Sequence, residues 1–136
     1  KLVVVARKGH PALSTTLDLD TYLKLDHVLV SSRSTGPGLE DFELSRMGYH
    51  RKIALRCQQA LSACKVIMNN DMLLTLPKTA AQMYSEMLDI ATHPMPVDLP
   101  EIGIHLYWHV NVDKEPANKW LRNKMILAAS STTKPV

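Results

Sequence analysis

The stretch Leu2-Val3-Val4-Val5-Ala6 is an uninterrupted apolar run, and Arg7-Lys8-Gly9-His10-Pro11 ends it abruptly. A short apolar run that is bounded by turn residues is typical of a strand covered on both faces, as in a parallel sheet. Nothing in the sequence precedes this strand to pair with it or to connect to it. We therefore predict that the chain is a fragment of a longer protein and that the neighbours of the first strand lie in the missing part.

The composition is that of one ordinary globular domain. The chain has 16 basic and 13 acidic residues, and its net charge of +3 is too small to indicate binding of nucleic acid or a membrane surface. No apolar stretch approaches the roughly 20 residues of a membrane span, so we predict no membrane partner. Cys57 and Cys64 suit neither a metal site nor a redox pair, and we interpret them as buried thiols in a reducing compartment. The basic group His50-Arg51-Lys52 is interpreted as a solvated face.

Apolar runs and amphipathic segments alternate along the chain. Strands are predicted at residues 2–6, 27–31, 53–55, 72–76 and 90–93, and helices at 18–25, 39–47, 60–68 and 77–88. In the third helix, Leu61, Cys64 and Ile67 repeat at helical spacing, which predicts a buried face. The alternation of strands and helices predicts an α/β fold with a central, mainly parallel sheet flanked by helices.

The last third of the chain has a different pattern. Residues 104–110 alternate between apolar side chains and His or Tyr, a period of two that predicts a strand. A helix is predicted to start near Pro116, and residues 130–136 are predicted to form a disordered tail. On a strand, His105 and His109 would stand about 13 Å apart, because each residue adds roughly 3.3 Å. Zinc holds its nitrogen ligands at about 2.0–2.1 Å, so we predict no metal site.

The loop after the second strand is the strongest candidate for a binding site. Ser31, Ser32, Arg33 and Ser34 follow the carboxyl end of that strand, and the loop runs through Gly36-Pro37-Gly38 into a helix. Open α/β sheets bind ligands at this edge, and a helix N-terminus favours anions. Serine hydroxyls donate hydrogen bonds, and an arginine can fork onto a carboxylate. A surface turn with capping serines explains the same residues, so both interpretations stay open.

Other motifs are weaker. Gln59 follows the third strand at a corresponding position, where its amide would either contact a ligand or cap the next helix. The lone G-x-G at Gly36-Pro37-Gly38 is neither a phosphate-binding loop nor a dinucleotide fingerprint, so no cofactor is predicted. The chain has no G-x-S-x-G, and its serines have no evident general base nearby in the sequence. We therefore do not predict an enzyme.

Read in order, these residues resemble the effector-binding half of LysR-type transcriptional regulators. The resemblance covers about residues 1 to 127. Its first three motifs are the opening strand with Arg7 to Leu13, the helix and strand from Leu17 to Ser31, and the segment Ile67 to Pro77. The fourth motif is Leu106-Tyr107-Trp108-His109, followed by Pro116, Trp120, Leu121 and Arg122. The chain departs from the family at Asn69-Asn70-Asp71, where a glycine-containing turn is usual. Asparagine tolerates the left-handed conformation, so the turn is expected to be kept.

The resemblance implies a two-lobed sensor similar to type 2 periplasmic binding proteins, with a small effector between the lobes. This chain would be a fragment of that sensor. Residues 1–10 would form the first crossover strand and residues 11–89 the second lobe. Residues 90–129 would form the return crossover, a strand and a C-terminal helix that packs on the missing first lobe. DNA binding would belong to an N-terminal domain absent from this chain.

The resemblance also implies partners and site residues. Ser31, Ser32, Arg33, Ser34 and, secondarily, Gln59 would contact an anionic or aromatic effector. An antiparallel dimer interface would use the second helix and third strand, at Leu39, Phe42, Arg46, Ile53 and Leu55. The parent would be a cytoplasmic homodimer or tetramer that controls transcription. The alternatives are an extracytoplasmic solute-binding protein of the same fold that feeds a transporter and, less favoured, a small α/β enzyme.

Overall fold

The computed structural model describes residues 1–13, 16–100, 103 and 105–132. The chain divides into two compact units, Lys1–Glu101 and Ile102–Val136. The first unit contains a five-stranded sheet with helices on both faces. Its elements in chain order are β1 (Leu2–Arg7), α1 (Leu19–Lys24), β2 (Asp26–Val30), α2 (Leu39–Arg46), β3 (Lys52–Cys57), α3 (Ala60–Ile67), β4 (Leu73–Pro77), α4 (Lys78–Ser85) and β5 (Ile90–Pro94).

The sheet is mixed, with the strand order β3-β2-β4-β1-β5. Strand β2 pairs in parallel with β3 and β4, whereas β1 is antiparallel to both β4 and β5. The predicted α/β fold is therefore confirmed, but the sheet is parallel only across β3, β2 and β4. Strand β1 begins beside the carboxyl end of β4, where Leu2 is opposite Pro77, and runs antiparallel to it.

Strand β1 lies in the interior of the sheet. Val4 is opposite Thr75 on one side and His93 on the other. Val5 packs into the core cluster beneath α3 and α4, and Val4 packs into the cluster beneath α1 and α2. The apolar run is covered on both faces, as predicted. The expectation that its neighbours lie outside the chain is wrong, because β4 and β5 supply them.

The turn after β1 is fixed by one glycine and one histidine. Gly9 has a φ of +66°, in the left-handed region that favours glycine. His10 is buried; its Nδ1 accepts the Ala12 N–H at 3.2 Å, so its Nε2 donates to the Asp71 carbonyl at 3.0 Å. The turn therefore ends β1 and ties it to the loop before β4.

The second unit consists of a short 3-10 helix at Val110–Val112 and the helix α5 (Pro116–Thr132). The strand predicted over residues 104–110 is wrong for residues 105–110, since the structure has no strand there; Ile104 lies outside the described residues. The segment is held by side chains instead. Trp108 Nε1 donates to Asp113 Oδ1 at 2.9 Å, and the Arg122 guanidinium lies 4.4 Å from the centre of the Trp108 ring.

Helix α5 extends further than predicted. It continues through Thr132, so residues 130–132, which were predicted to begin a disordered tail, are helical, and residues 133–136 lie outside the described part. Its apolar side chains are largely exposed, including Trp120, Leu121 and Ile126. No helix in the described part of the chain has both the length and the apolar character needed to cross a bilayer.

Candidate functional site

The carboxyl ends of β2, β3 and β4 meet at one edge of the sheet, because these strands are parallel. Ser31 follows β2 at this edge, Gln59 follows β3 and Lys78 follows β4. The Ser31 N–H donates to the Cys57 carbonyl at 2.9 Å, which holds the start of the loop against the end of β3. The structure thus brings both groups of predicted ligand contacts to the same edge of the sheet.

Residues 31–38, called here the 31–38 loop, are ordered by hydrogen bonds within the loop. The Arg33 N–H donates to Ser31 Oγ at 3.1 Å, and Arg33 Nη2 donates to the Pro37 carbonyl at 3.2 Å. The Arg33 side chain is exposed. A guanidinium carries five N–H donors, so the bond to Pro37 leaves Arg33 able to bind a carboxylate.

The structure can be compared with the turn interpretation of the serines and the capping interpretation of Gln59. Ser31 uses its hydroxyl oxygen in a local turn, as the turn interpretation requires. Ser32 and Ser34 are exposed, and within the described residues their hydroxyls make no such bond. Gln59 occupies the N-cap position of α3 but makes no side-chain capping bond, so the capping interpretation of Gln59 is wrong.

Sequence reasoning missed a cavity of about 460 Å³ at the same edge. Lys1 and Lys78 line it from the start of β1 and the start of α4, and their backbones are joined by a bond of 2.9 Å from the Lys78 N–H to the Lys1 carbonyl. His93 and Met95 line it from β5 and the segment beyond. Its volume suits a small ligand. The available signal was the position of Lys78 directly after the fourth strand.

The predicted dimer residues lie on the outside of α2 and on the edge strand β3. Leu39, Phe42 and Arg46 are exposed on α2, whereas Glu40 and Leu44 are its buried residues. Leu55 is exposed on β3, and Ile53 is half-buried there.

The inner side of α2 faces a buried arginine. The Arg51 side chain is only 1% exposed, so its interpretation as part of a solvated face is wrong. Its Nη2 donates to Glu40 Oε1 at 2.5 Å and its Nε to Asp41 Oδ1 at 2.6 Å, while its Nη1 donates to Thr75 Oγ1 at 3.2 Å and to the Tyr22 hydroxyl at 3.3 Å. These groups are called here the Arg51 network.

The charges in the Arg51 network stabilise one another. Burial alone would raise the pKa of Asp41, but the hydrogen bond and positive charge of Arg51 and the Gly38 N–H bring this pKa below its ordinary value. Burial alone would lower the pKa of Arg51, but Asp41 and Glu40 raise it above its ordinary value. The Asp41 and Arg51 side chains are therefore both ionised at neutral pH.

Among the described residues, no three His, Cys, Asp or Glu side chains come together as metal ligands would.

His27 completes the network in its neutral form. Its Nε2 donates to the Tyr22 carbonyl at 2.7 Å, which leaves Nδ1 as an acceptor facing Arg51 Nη1 at 3.5 Å. Burial is the main cause that lowers the pKa of His27 to about 4, and the charge of Arg51 contributes to this lowering.

This histidine predicts a pH dependence of stability. Between pH 6.5 and about 4 the unfolded chain binds a proton at this position and the folded chain does not. The free energy of unfolding should therefore fall by about 3 kcal/mol through His27 as the pH drops across this window. Denaturant unfolding at a series of pH values measures the fall. His27→Gln should remove this part of it, and a variant that keeps the full pH dependence would contradict the prediction.

Residues 1–126 match the family model described as LysR substrate binding domain, and the chain belongs to this family. It is 30% identical over 126 residues to the HTH-type transcriptional activator NagR of Ralstonia sp, and 34% identical over 123 residues to the HTH-type transcriptional activator NahR of Pseudomonas putida. These matches cover 93% and 90% of this chain but 42% and 41% of the two relatives. The chain therefore spans about two fifths of the length of these curated relatives.

Solved structures share the fold. The regulatory domain of MexT, a transcriptional activator in Pseudomonas aeruginosa, matches with a TM-score of 0.75 at 25% identity, over 92% of this chain and 60% of that one. The effector binding domain of BenM, solved with benzoate, matches with a TM-score of 0.59 at 15% identity, over 99% of this chain and 63% of that one. The effector binding domain of QuiR, solved with shikimate, matches with a TM-score of 0.57 at 16% identity, over 75% of this chain and 47% of that one.

Proposed function

We propose that this chain is the effector-sensing part of a LysR-type DNA-binding regulator of transcription and that it binds a small carboxylate at the 31–38 loop. The observation that carries the proposal is the exposed Arg33, held in an ordered loop at the carboxyl edge of the parallel strands. Benzoate, the effector in the BenM structure, and shikimate, the ligand in the QuiR structure, are both carboxylates.

In this proposal the sheet unit is one lobe of a two-lobed sensor. Residues 1–10 are the first crossover, residues 11–89 the lobe, and residues 90–129 the return crossover with the C-terminal helix. The antiparallel pairing of β1 with β5 across five residue pairs supports two crossovers that lie side by side. Effector binding closes the lobes, and the closed population then changes the geometry of the assembly on DNA.

Two apolar surfaces support the proposed contacts of the whole protein. Leu39 and Phe42 are 59% and 50% exposed on α2, at the surface proposed for a homodimer or tetramer. Trp120, Leu121 and Ile126 are exposed on α5, the helix proposed to pack on the first lobe. DNA would be contacted through a domain outside this chain, and the protein would act in the cytoplasm, without catalysis and without a cofactor.

The relatives favour this proposal over its alternatives. NagR and NahR are named transcriptional activators, which favours a regulator over a solute-binding protein that feeds a transporter or over an enzyme. A helix-turn-helix upstream in the complete protein would support the regulator. A signal peptide in that position would contradict it.

Calorimetric titration tests the site. In the complete protein, benzoate and shikimate are the probes, and we expect at least one to bind. Arg33→Ala should weaken that binding by about tenfold or more, since a hydrogen bond to a charged group contributes about 1.5–3 kcal/mol. The matched control is Lys65→Ala, which removes one exposed positive charge from α3 and should leave the affinity unchanged. Equal affinities for the wild type and Arg33→Ala would contradict the proposal that the 31–38 loop binds the carboxylate.

A further inference from the structure

The C-terminal end of the 31–38 loop is attached to the Arg51 network through one carboxylate. Asp41 Oδ2 accepts the Gly38 N–H at 2.6 Å, and Asp41 Oδ1 accepts Arg51 Nε at 2.6 Å. Gly38 is both the last residue of the loop and the N-cap of α2. The buried guanidinium, the carboxylate and the loop backbone therefore form one continuous chain of charge-assisted hydrogen bonds.

The loop has little freedom at this end. A Cβ on Gly38 would come within 2.6 Å of Leu29 Cδ1, so the backbone lies directly against the side chain of β2. A second attachment comes from Arg56, whose Nη2 donates to the Gly36 carbonyl at 2.6 Å. Gly36 has a φ of +88°, which only glycine adopts without strain. The loop is thus held at two points from the protein interior and from β3.

The positions of the acceptors around Arg51 explain why an arginine stands at this position. Three nitrogens of Arg51 donate to side chains of α2, β4 and α1, and Glu40 and Asp41 are both held by the same guanidinium. Arginine presents its donors in a rigid plane, whereas lysine has one compact ammonium that cannot span the same acceptors. Lysine would keep the charge of the network and lose its geometry.

We infer that Arg51 is a positioning residue for the 31–38 loop: through Asp41 it fixes Gly38, and so sets the conformation in which Arg33 and the serines of the loop are presented. The inference rests on the proposed function for the statement that this loop binds ligand. The fixed conformation lowers the entropy that binding must otherwise remove from the loop. Arg51 itself, 1% exposed, does not contact the ligand.

Hydrogen exchange followed by mass spectrometry on the complete protein tests the inference without a ligand. In Arg51→Lys, peptides that cover residues 36–46 should exchange about tenfold faster or more, the factor that corresponds to losing one charge-assisted hydrogen bond. Peptides from β1 and β5 should accelerate less than these, because they report only the general loss of stability. If the lysine variant does not fold, Asp41→Asn is the substitute, because it keeps the size of the side chain and removes its charge, and the same local pattern is expected.

The matched control is Ile67→Val, which weakens the core cluster on the face of the sheet opposite to α2. An equal rise in exchange throughout the sheet in Arg51→Lys, as a general loss of stability would give in the control, would overturn the positioning role. Unchanged rates at residues 36–46 would overturn it as well. The exchange measurement uses no effector, so a negative result contradicts only the positioning role of Arg51. A negative result in the calorimetric titration contradicts the proposed binding instead.

Discussion

Arg51→Met should lower the free energy of unfolding by about 3–5 kcal/mol, because it leaves two buried carboxylates without their cation. Glu40 and Asp41 have side chains only 10% and 15% exposed, so water replaces little of what the guanidinium gives them. Methionine fills a similar volume, which separates the loss of charge from the loss of packing. Denaturant unfolding of the chain, followed by circular dichroism, measures the difference.

Arg46→Met is the matched control for this prediction. Arg46 lies on α2, its side chain is 77% exposed, and it pairs with Glu43 at 3.3 Å. Exposed pairs of this kind contribute about 0–1 kcal/mol, so the control should change the free energy of unfolding by no more than that. Similar losses in both variants would show that the Arg51 network stabilises the fold no more than a surface ion pair.

Ile67→Ala should cost about 2–5 kcal/mol, the range for removing a large aliphatic side chain from a packed core. Ile67 is fully buried on α3 among Val5, Val28 and Leu74. The substitution leaves a cavity between the helix and the sheet that the surrounding strands cannot fill. The same unfolding experiment measures it.

Leu61→Ala provides the comparison on the same helix. The sequence pattern assigns Leu61 to the buried face together with Ile67, but its side chain is 41% exposed. We expect a loss below about 1 kcal/mol, in line with substitutions at the surface. A loss as large as that of Ile67→Ala would mean that Leu61 is covered in solution by a surface the structure does not contain.

The order of strands and helices in the sheet unit could be predicted because its signals are local. The run at residues 2–6, the apolar periodicity of α3 and the loop after β2 each depend on a few neighbouring residues. The sheet edge that carries the candidate site could be predicted from these signals, since the carboxyl ends of parallel strands meet at one edge. The antiparallel direction of β1 could not be predicted, because its partners on β5 are 83 to 91 positions away and no local pattern specifies them.

The Arg51 network shows a second limit. In the sequence, Arg51 stands between His50 and Lys52, and three adjacent basic residues are typical of a surface. Its carboxylate partners lie ten and eleven positions earlier, at the start of a helix whose apolar residues Leu39 and Phe42 are exposed. The strand predicted at residues 104–110 is wrong over residues 105–110 for the opposite reason. The local alternation is clear, but Trp108 bonds to Asp113 and not to a neighbouring strand.

The interior position of β1 also bears on aggregation. In the described sheet the two edge strands are β3 and β5, and the most apolar strand has both of its hydrogen-bonding sides occupied. Lys52 and Arg56 place positive charges on β3, and Pro94 ends β5 without an N–H to offer. Charged residues and proline at open edges discourage the addition of strands from other molecules. The segment best suited to seed such growth is therefore the one that another chain cannot reach.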